Sequence, residues 1–177
     1  LFRSIYQHLL QAAQASRLPA EVYAKRVARA NGLAASDDSE LARVLRAQTA
    51  SYRDWTAVNE ARTQMRWAWA DFFERYDVLL CPVAAVPAFP HDESPRMGAR
   101  TVLVNGEPAP YLQQVFWAGL VGVSYLPSTV YPAGLTDDGL PIGVQIVGPE
   151  LGDRRTIAVT RLLETLTDGF TPPDLDS

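Results

Sequence analysis

"GLPIGVQIVGPELGD", residues 139–153, reads as a turn, a short buried strand and the start of a helix. Gly139, Leu140 and Pro141 turn the chain. Pro141 has no N–H to give to a ladder, so it fits a strand only at its first position. The apolar run after it stops at Gly148 and Pro149, and Gly139 and Gly143 permit close backbone approach. Asp153 then suits the cap of a closing helix, "DRRTIAVTRLLETL", with Val159, Leu162, Leu163 and Leu166 facing inward. A strand apolar on both faces must be covered on both faces, which implies a sheet packed between other elements.

The segments before it extend that pattern. "DVLLCPVAAVPAF" (residues 77–89) is a second apolar run, with prolines that take it out of a sheet. "TVLVNGEPA" (101–109) is either a short hairpin turning at Asn105-Gly106 or an extended crossing. "APYLQQVFWAGLVG" (109–122) reads as a helix ended by glycine, and "VSYLPSTVYPAGL" (123–135) as an extended, proline-limited segment. The first part of the chain is helical. Phe2, Ile5, Leu9 and Ala13 (or Leu10) recur at helical spacing. Pro19 and Gly32 bracket a second helix, and Asp37 with Glu40 forms a capping pair for the next one. Leu41, Leu45, Gln48, Tyr52, Trp55, Val58, Met65, Trp69, Phe72 and Tyr76 lie on one face of one long helix, or of two broken near residues 51–54. That aromatic stripe predicts core packing.

The expected organisation is helical over 1–76, strands and helices over 77–170, and a loose tail over 171–177. The fold class is α/β, a mixed β-sheet covered by helices. Only two or three strands are visible, which is thin for a sheet buried on both faces. The opening "LFRSIYQHLLQAAQ" has neither a methionine nor a cap, and reads as though it continued from something longer.

Composition narrows the function classes. With 47% hydrophobic and 20% charged residues, the 177-residue chain can bury a core. A net charge of -4 without a basic cluster argues against nucleic-acid or membrane-surface partners. No apolar run approaches the roughly 20 residues that cross a bilayer. The single cysteine, Cys81, permits no internal disulfide and points to a reducing cytoplasm. His8 and His91, with one cysteine, fall short of the clustered ligands a metal needs. No phosphate or dinucleotide loop occurs, so no cofactor is expected. Nucleophilic catalysis needs a Ser, Cys or Thr beside a base. The only lysine, Lys25, lies on a surface helix, and no catalytic residue is assigned.

Taken in order, residues 77–82, 127–134 ("PSTVYPAG"), 139–149 and the Asp-started helix to Glu164 resemble the C-terminal portion of an amidase-signature enzyme. The resemblance covers about residues 60–170. It implies amide hydrolysis by a serine nucleophile, with a second serine relaying the proton to a lysine and backbone N–H groups stabilising the tetrahedral intermediate. In that family these groups precede the portion seen here. The chain then supplies sheet and one wall of an acyl pocket for a small-molecule amide. By the same analogy Trp117, Thr129, Tyr131 and Pro132 are the substrate-contact candidates. Many members approach the second segment through Asn-x-x-Gly-x-Pro-Ala. Here the approach is "VGVSYLPS", with Tyr125 where a small residue is common. Two other readings stand beside this one: a non-catalytic binding module, and part of a glutamine amidotransferase subunit. Without its catalytic part, the chain is expected to expose apolar surface and to form homodimers or aggregate.

Overall fold

The computed structural model describes residues 2–93, 97–167 and 169–172. The chain divides into two compact units, Leu1–Ala68 and Trp69–Ser177.

In the first unit, α1 (Phe2–Ala15) and α2 (Ala20–Asn31) pack against α3 (Glu40–Gln48). Ile5, Leu9, Ala42, Leu45 and Ala47 are buried, as the spacing requires, whereas Ala13 is exposed. A polar thread ties the three helices together. Arg26 donates to Gln48 Oε1, and Gln48 Nε2 donates to Gln11 Oε1 at 2.7 Å. Gln48 is buried, so both of its amide atoms need these partners. The cap of α3 differs from the expected Asp37. Ser39 occupies it, its Oγ accepting from Ala42 N, while Asp37 Oδ1 accepts from Ser39 N. A serine directly before the helix reaches its orphan amides, whereas Asp37 sits too early in the chain and stabilises the approach instead.

The aromatic stripe is two helices, α3 and then α4 (Tyr52–Phe73), separated by residues 49–51. Ser51 Oγ accepts from Asp54 N and opens α4. Along α4 only Phe73 is buried, and Tyr52 is 82% exposed. The predicted single inward face is therefore not observed: Leu41, Tyr52 and Tyr76 are exposed, and the buried aromatic is the neighbour of Phe72.

The second unit is built on a three-stranded sheet of order β1-β5-β4, here β1 (Leu79–Pro82), β4 (Ser128–Leu135) and β5 (Pro141–Val147). Both pairings are antiparallel. β5 is central, with Leu79, Cys81 and Ser128 brought to the face of Val147 and Gln145 by register. The β4–β5 turn is closed by Thr136 N donating to Leu140 O at 2.8 Å, and Gly139 supplies a φ of 79° that favours glycine. Against the Val147 face, Phe73, Cys81, Val121 and Leu126 form the core, with Trp69, Phe72, Leu79 and Trp117 packed around it. Residues 101–110 are a hairpin, β2 (Thr101–Val104) and β3 (Glu107–Pro110), turning at Asn105-Gly106. Between it and β4 in the chain lies the short helix α5 (Phe116–Gly122).

α6 (Asp153–Glu164) packs on β4 and β5. Its buried residue is Thr156, with Val159 and Leu163 half-buried. Leu162 and Leu166 are 60% and 72% exposed, contrary to expectation. The inward stripe runs 156–159–163, and Leu162 lies about 100° from Leu163 around the helix. Of the expected tail, residues 173–177 lie outside the described residues.

Candidate functional site

Glycine decides how close α6 comes to the sheet. A Cβ on Gly148 would stand 2.7 Å from Thr156 Cγ2, a distance real Cβ atoms do not show. The missing side chain lets Thr156 reach Thr129. Their Oγ1 atoms are 2.7 Å apart. Thr156 donates its own proton to Asp153 O at 2.8 Å, so Thr129 is the donor between the two hydroxyls. Thr129 is thus committed to holding helix against strand.

Tyr131 lies two residues further along the same face. Its side chain is 4% exposed, and its hydroxyl is buried without a partner among the described residues. A buried phenol with no acceptor is a polar group the local fold leaves unsatisfied. Pro132 is half-buried, opposite Gly143 and beside the irregularity between Pro132 and Gly134. Trp117, on α5, packs edge-on to Phe116 at 5.1 Å and against the core that contains Cys81 and Val147. Strand alternation puts Thr129 and Tyr131 on one face of the sheet, and Pro132 on the other face, against which Trp117 packs. The structure brings the four candidates together as two pairs on opposite faces.

Three features escaped sequence reading. Gln145, buried at the sheet centre, accepts from Ser128 Oγ at 3.1 Å and donates to Cys81 Sγ at 3.3 Å, so one amide spans all three strands. Its signal was a polar residue inside an apolar strand. Ser124 is fully buried, its Oγ without a partner among the described residues, and Tyr125 beside it holds a φ of 58°. The unusual conformation falls at Tyr125, the position that the sequence singled out in "VGVSYLPS".

As for reactive groups, Cys81 is buried and engaged by Gln145. Lys25 pairs with Glu21 on the exposed face of α2. His8 has its basicity lowered by burial, an effect the carboxylate of Asp54 partly opposes, and its Nε2 is buried without a partner among the described residues. Among the described residues no three His, Cys, Asp or Glu side chains gather into a metal-sized group, and no helix is long and apolar enough to cross a membrane.

The second unit thus sets a central antiparallel strand between a helix held close on one face and an aromatic core on the other, in a mixed helix-and-sheet fold. The Amidase family profile matches residues 12–157, and the chain belongs to that family. It is 32% identical over 113 residues to the A subunit of the glutamyl-tRNA(Gln) amidotransferase of Haloarcula marismortui, covering 63% of this chain and 24% of that protein. To the corresponding protein of Geotalea daltonii it is 35% identical over 115 residues, covering 62% and 20%. A crystal structure of an amidase superposes with a TM-score of 0.65 at 20% identity, over 93% of this chain and 35% of that one. A bacterial aryl acylamidase of the amidase-signature family gives 0.62 at 21% identity, over 94% and 34%. These two likenesses show the fold. The chain thus spans about a quarter or less of the curated relatives' length and about a third of the solved structures'.

Proposed function

We propose that this chain is the C-terminal region of a hydrolase that cleaves amide carbon–nitrogen bonds by a Ser-Ser-Lys mechanism, with the lysine and both serines lying outside these residues. The match of the Amidase profile over residues 12–157 carries the reading. In such a mechanism the nucleophilic serine adds to the carbonyl carbon, its proton passes through the second serine to the lysine, and amide N–H donors hold the oxyanion. This chain contributes the sheet and one border of the acyl site. Of the two candidate pairs, Thr129 with Tyr131 and Trp117 with Pro132, one borders the substrate. Tyr131 offers the polar atom, because its hydroxyl is still without an acceptor while that of Thr129 is spent on Thr156. The substrate is a small-molecule amide, the partner is the catalytic part of the same enzyme, and a reducing cytoplasm suits the lone buried thiol.

A second reading is favoured by the curated relatives, which are named as subunits of a glutamyl-tRNA(Gln) amidotransferase. On that reading the amide is glutamine and further subunits are needed.

The test has two arms. The reading frame upstream of Leu1 should encode a lysine followed by a glycine- and serine-rich stretch, and its absence refutes the hydrolase reading. The full-length protein should release ammonia from simple aromatic or aliphatic amides, while residues 1–177 alone should not. Hydrolysis by the 177-residue chain that is abolished by a substitution within it would overturn the placement of the chemistry. Release of ammonia from glutamine alone, and only with added subunits, would select the second reading.

A further inference from the structure

The chain contains two Asn-Gly pairs, residues 31–32 and 105–106, and its backbone treats them differently. Asn31 is the last residue of α2, and Gly32 comes next at φ -86° with its N–H donated to Arg29 O at 3.2 Å. Asn105 and Gly106 form the tip of the β2–β3 hairpin, at φ 53° and 84°. Both positive angles mark the tight turn that matches strand twist. The register flanking it pairs Val104 with Glu107. In such a turn the closing N–H belongs to the fourth residue, so the amide of the third, Gly106, is left to solvent. A Cβ added at Gly106 would meet nothing within 4 Å, and both Asn105 and Gly106 are exposed, so the turn stands clear of its surroundings.

We propose that Asn105 is a site of self-modification, and that Asn31, the same dipeptide, is protected. The backbone nitrogen of Gly106 attacks Cγ of Asn105, a step that glycine allows because no Cβ blocks the approach. An N–Cγ bond forms, the Cγ–Nδ2 bond breaks, and ammonia leaves with the proton released by the Gly106 amide. Water then opens the resulting succinimide at either carbonyl, giving aspartate or isoaspartate. The turn must relax for the attack, and a ribbon of only two strands opens at low free energy. At residue 31 the same attack first has to break the Gly32–Arg29 hydrogen bond. The product matters locally. Either acid places a negative charge two residues from Glu107, and isoaspartate adds a methylene to the backbone, so Val104 and Glu107 no longer oppose each other.

The test incubates the purified protein at mildly alkaline pH and follows peptides carrying Asn31, Asn59 and Asn105. Mass spectrometry reads the amide-to-acid conversion, and chromatography separates aspartyl from isoaspartyl forms. Asn59, with Glu60 after it, gives the background. Conversion at Asn105 should run roughly five- to tenfold faster than at Asn31, the factor that one retained hydrogen bond supplies. In denaturant the two rates should converge. Equal rates in the native protein, a faster Asn31, or a ratio that survives denaturation would each overturn the proposal, the last because flanking residues rather than backbone geometry would then set the rate.

Discussion

Replacing Tyr125 by glycine and by alanine isolates the backbone strain in the turn between α5 and β4. Tyr125 holds a φ of 58°, in the left-handed region that a side chain disfavours. Both substitutions remove the same ring, 53% exposed, so its packing cancels between them. What remains is the conformational term. A residue with a Cβ in that region carries roughly 1–2 kcal/mol of strain, and glycine loses roughly 0.5–1 kcal/mol more backbone entropy on folding. The glycine variant should therefore be more stable than the alanine variant by about 0.5–1 kcal/mol. At a right-handed or extended position the order reverses, with alanine ahead by a similar amount. Chemical denaturation of the two variants reads the difference directly. In a thermal scan ~1 kcal/mol corresponds to roughly 2–4 °C for a chain of this size. An alanine variant equal to or more stable than the glycine variant would refute the assignment of strain at this residue.

Three further outcomes come from the packing and the charges. Gly148→Ala drives a methyl into Thr156 at 2.7 Å, so α6 should shift and stability fall by about 1–3 kcal/mol, measured by denaturant unfolding. His8 has a pKa below its ordinary 6.5 because burial disfavours the charged ring. The unfolded chain then binds more protons than the folded one, stability rises with pH through the window below 6.5, and it is lost as pH falls through that window. His8→Gln should flatten that slope in unfolding curves taken across it, and an unchanged slope would exclude His8 as its source. Leu80 on β1 and Val130 on β4 are 53% and 50% exposed on strands with one unpaired edge each among the described residues. The chain on its own should associate with rising concentration in light scattering, and Val130→Lys should weaken that association.

Much of the second unit was legible because its punctuation is chemical. Pro141 could only begin a strand and Gly148-Pro149 could only end one, whereas around Asn105-Gly106 the sequence left hairpin and crossing open and the structure shows the hairpin. Faces were not legible. β5 is apolar almost throughout, so no alternation told which side met α6 and which met Trp117. In α6 the inward stripe is centred on a polar residue, Thr156, whose partner Thr129 is distant in sequence. Ranking by hydrophobicity therefore turned Leu162 and Leu166 inward, where the structure exposes them. The family analogy named Thr129 and Tyr131 but could not tell that one hydroxyl was spent and the other spare. That difference depends on which residues the rest of the chain brings alongside.

The amide of Gln145 joins strands recruited from very different distances along the chain: Ser128 is 17 residues away and Cys81 is 64. Loop-closure entropy grows with the logarithm of that separation, so bringing in β1 carries about 1 kcal/mol more entropy loss than closing the β4–β5 hairpin. Folding of this unit should accordingly run in two stages, the hairpin zipping early and β1 annealing late. Until it does, one flank of β5 stays open to water. Insertions between residues 83 and 127 would then lengthen the wait while leaving the hairpin's own rate untouched.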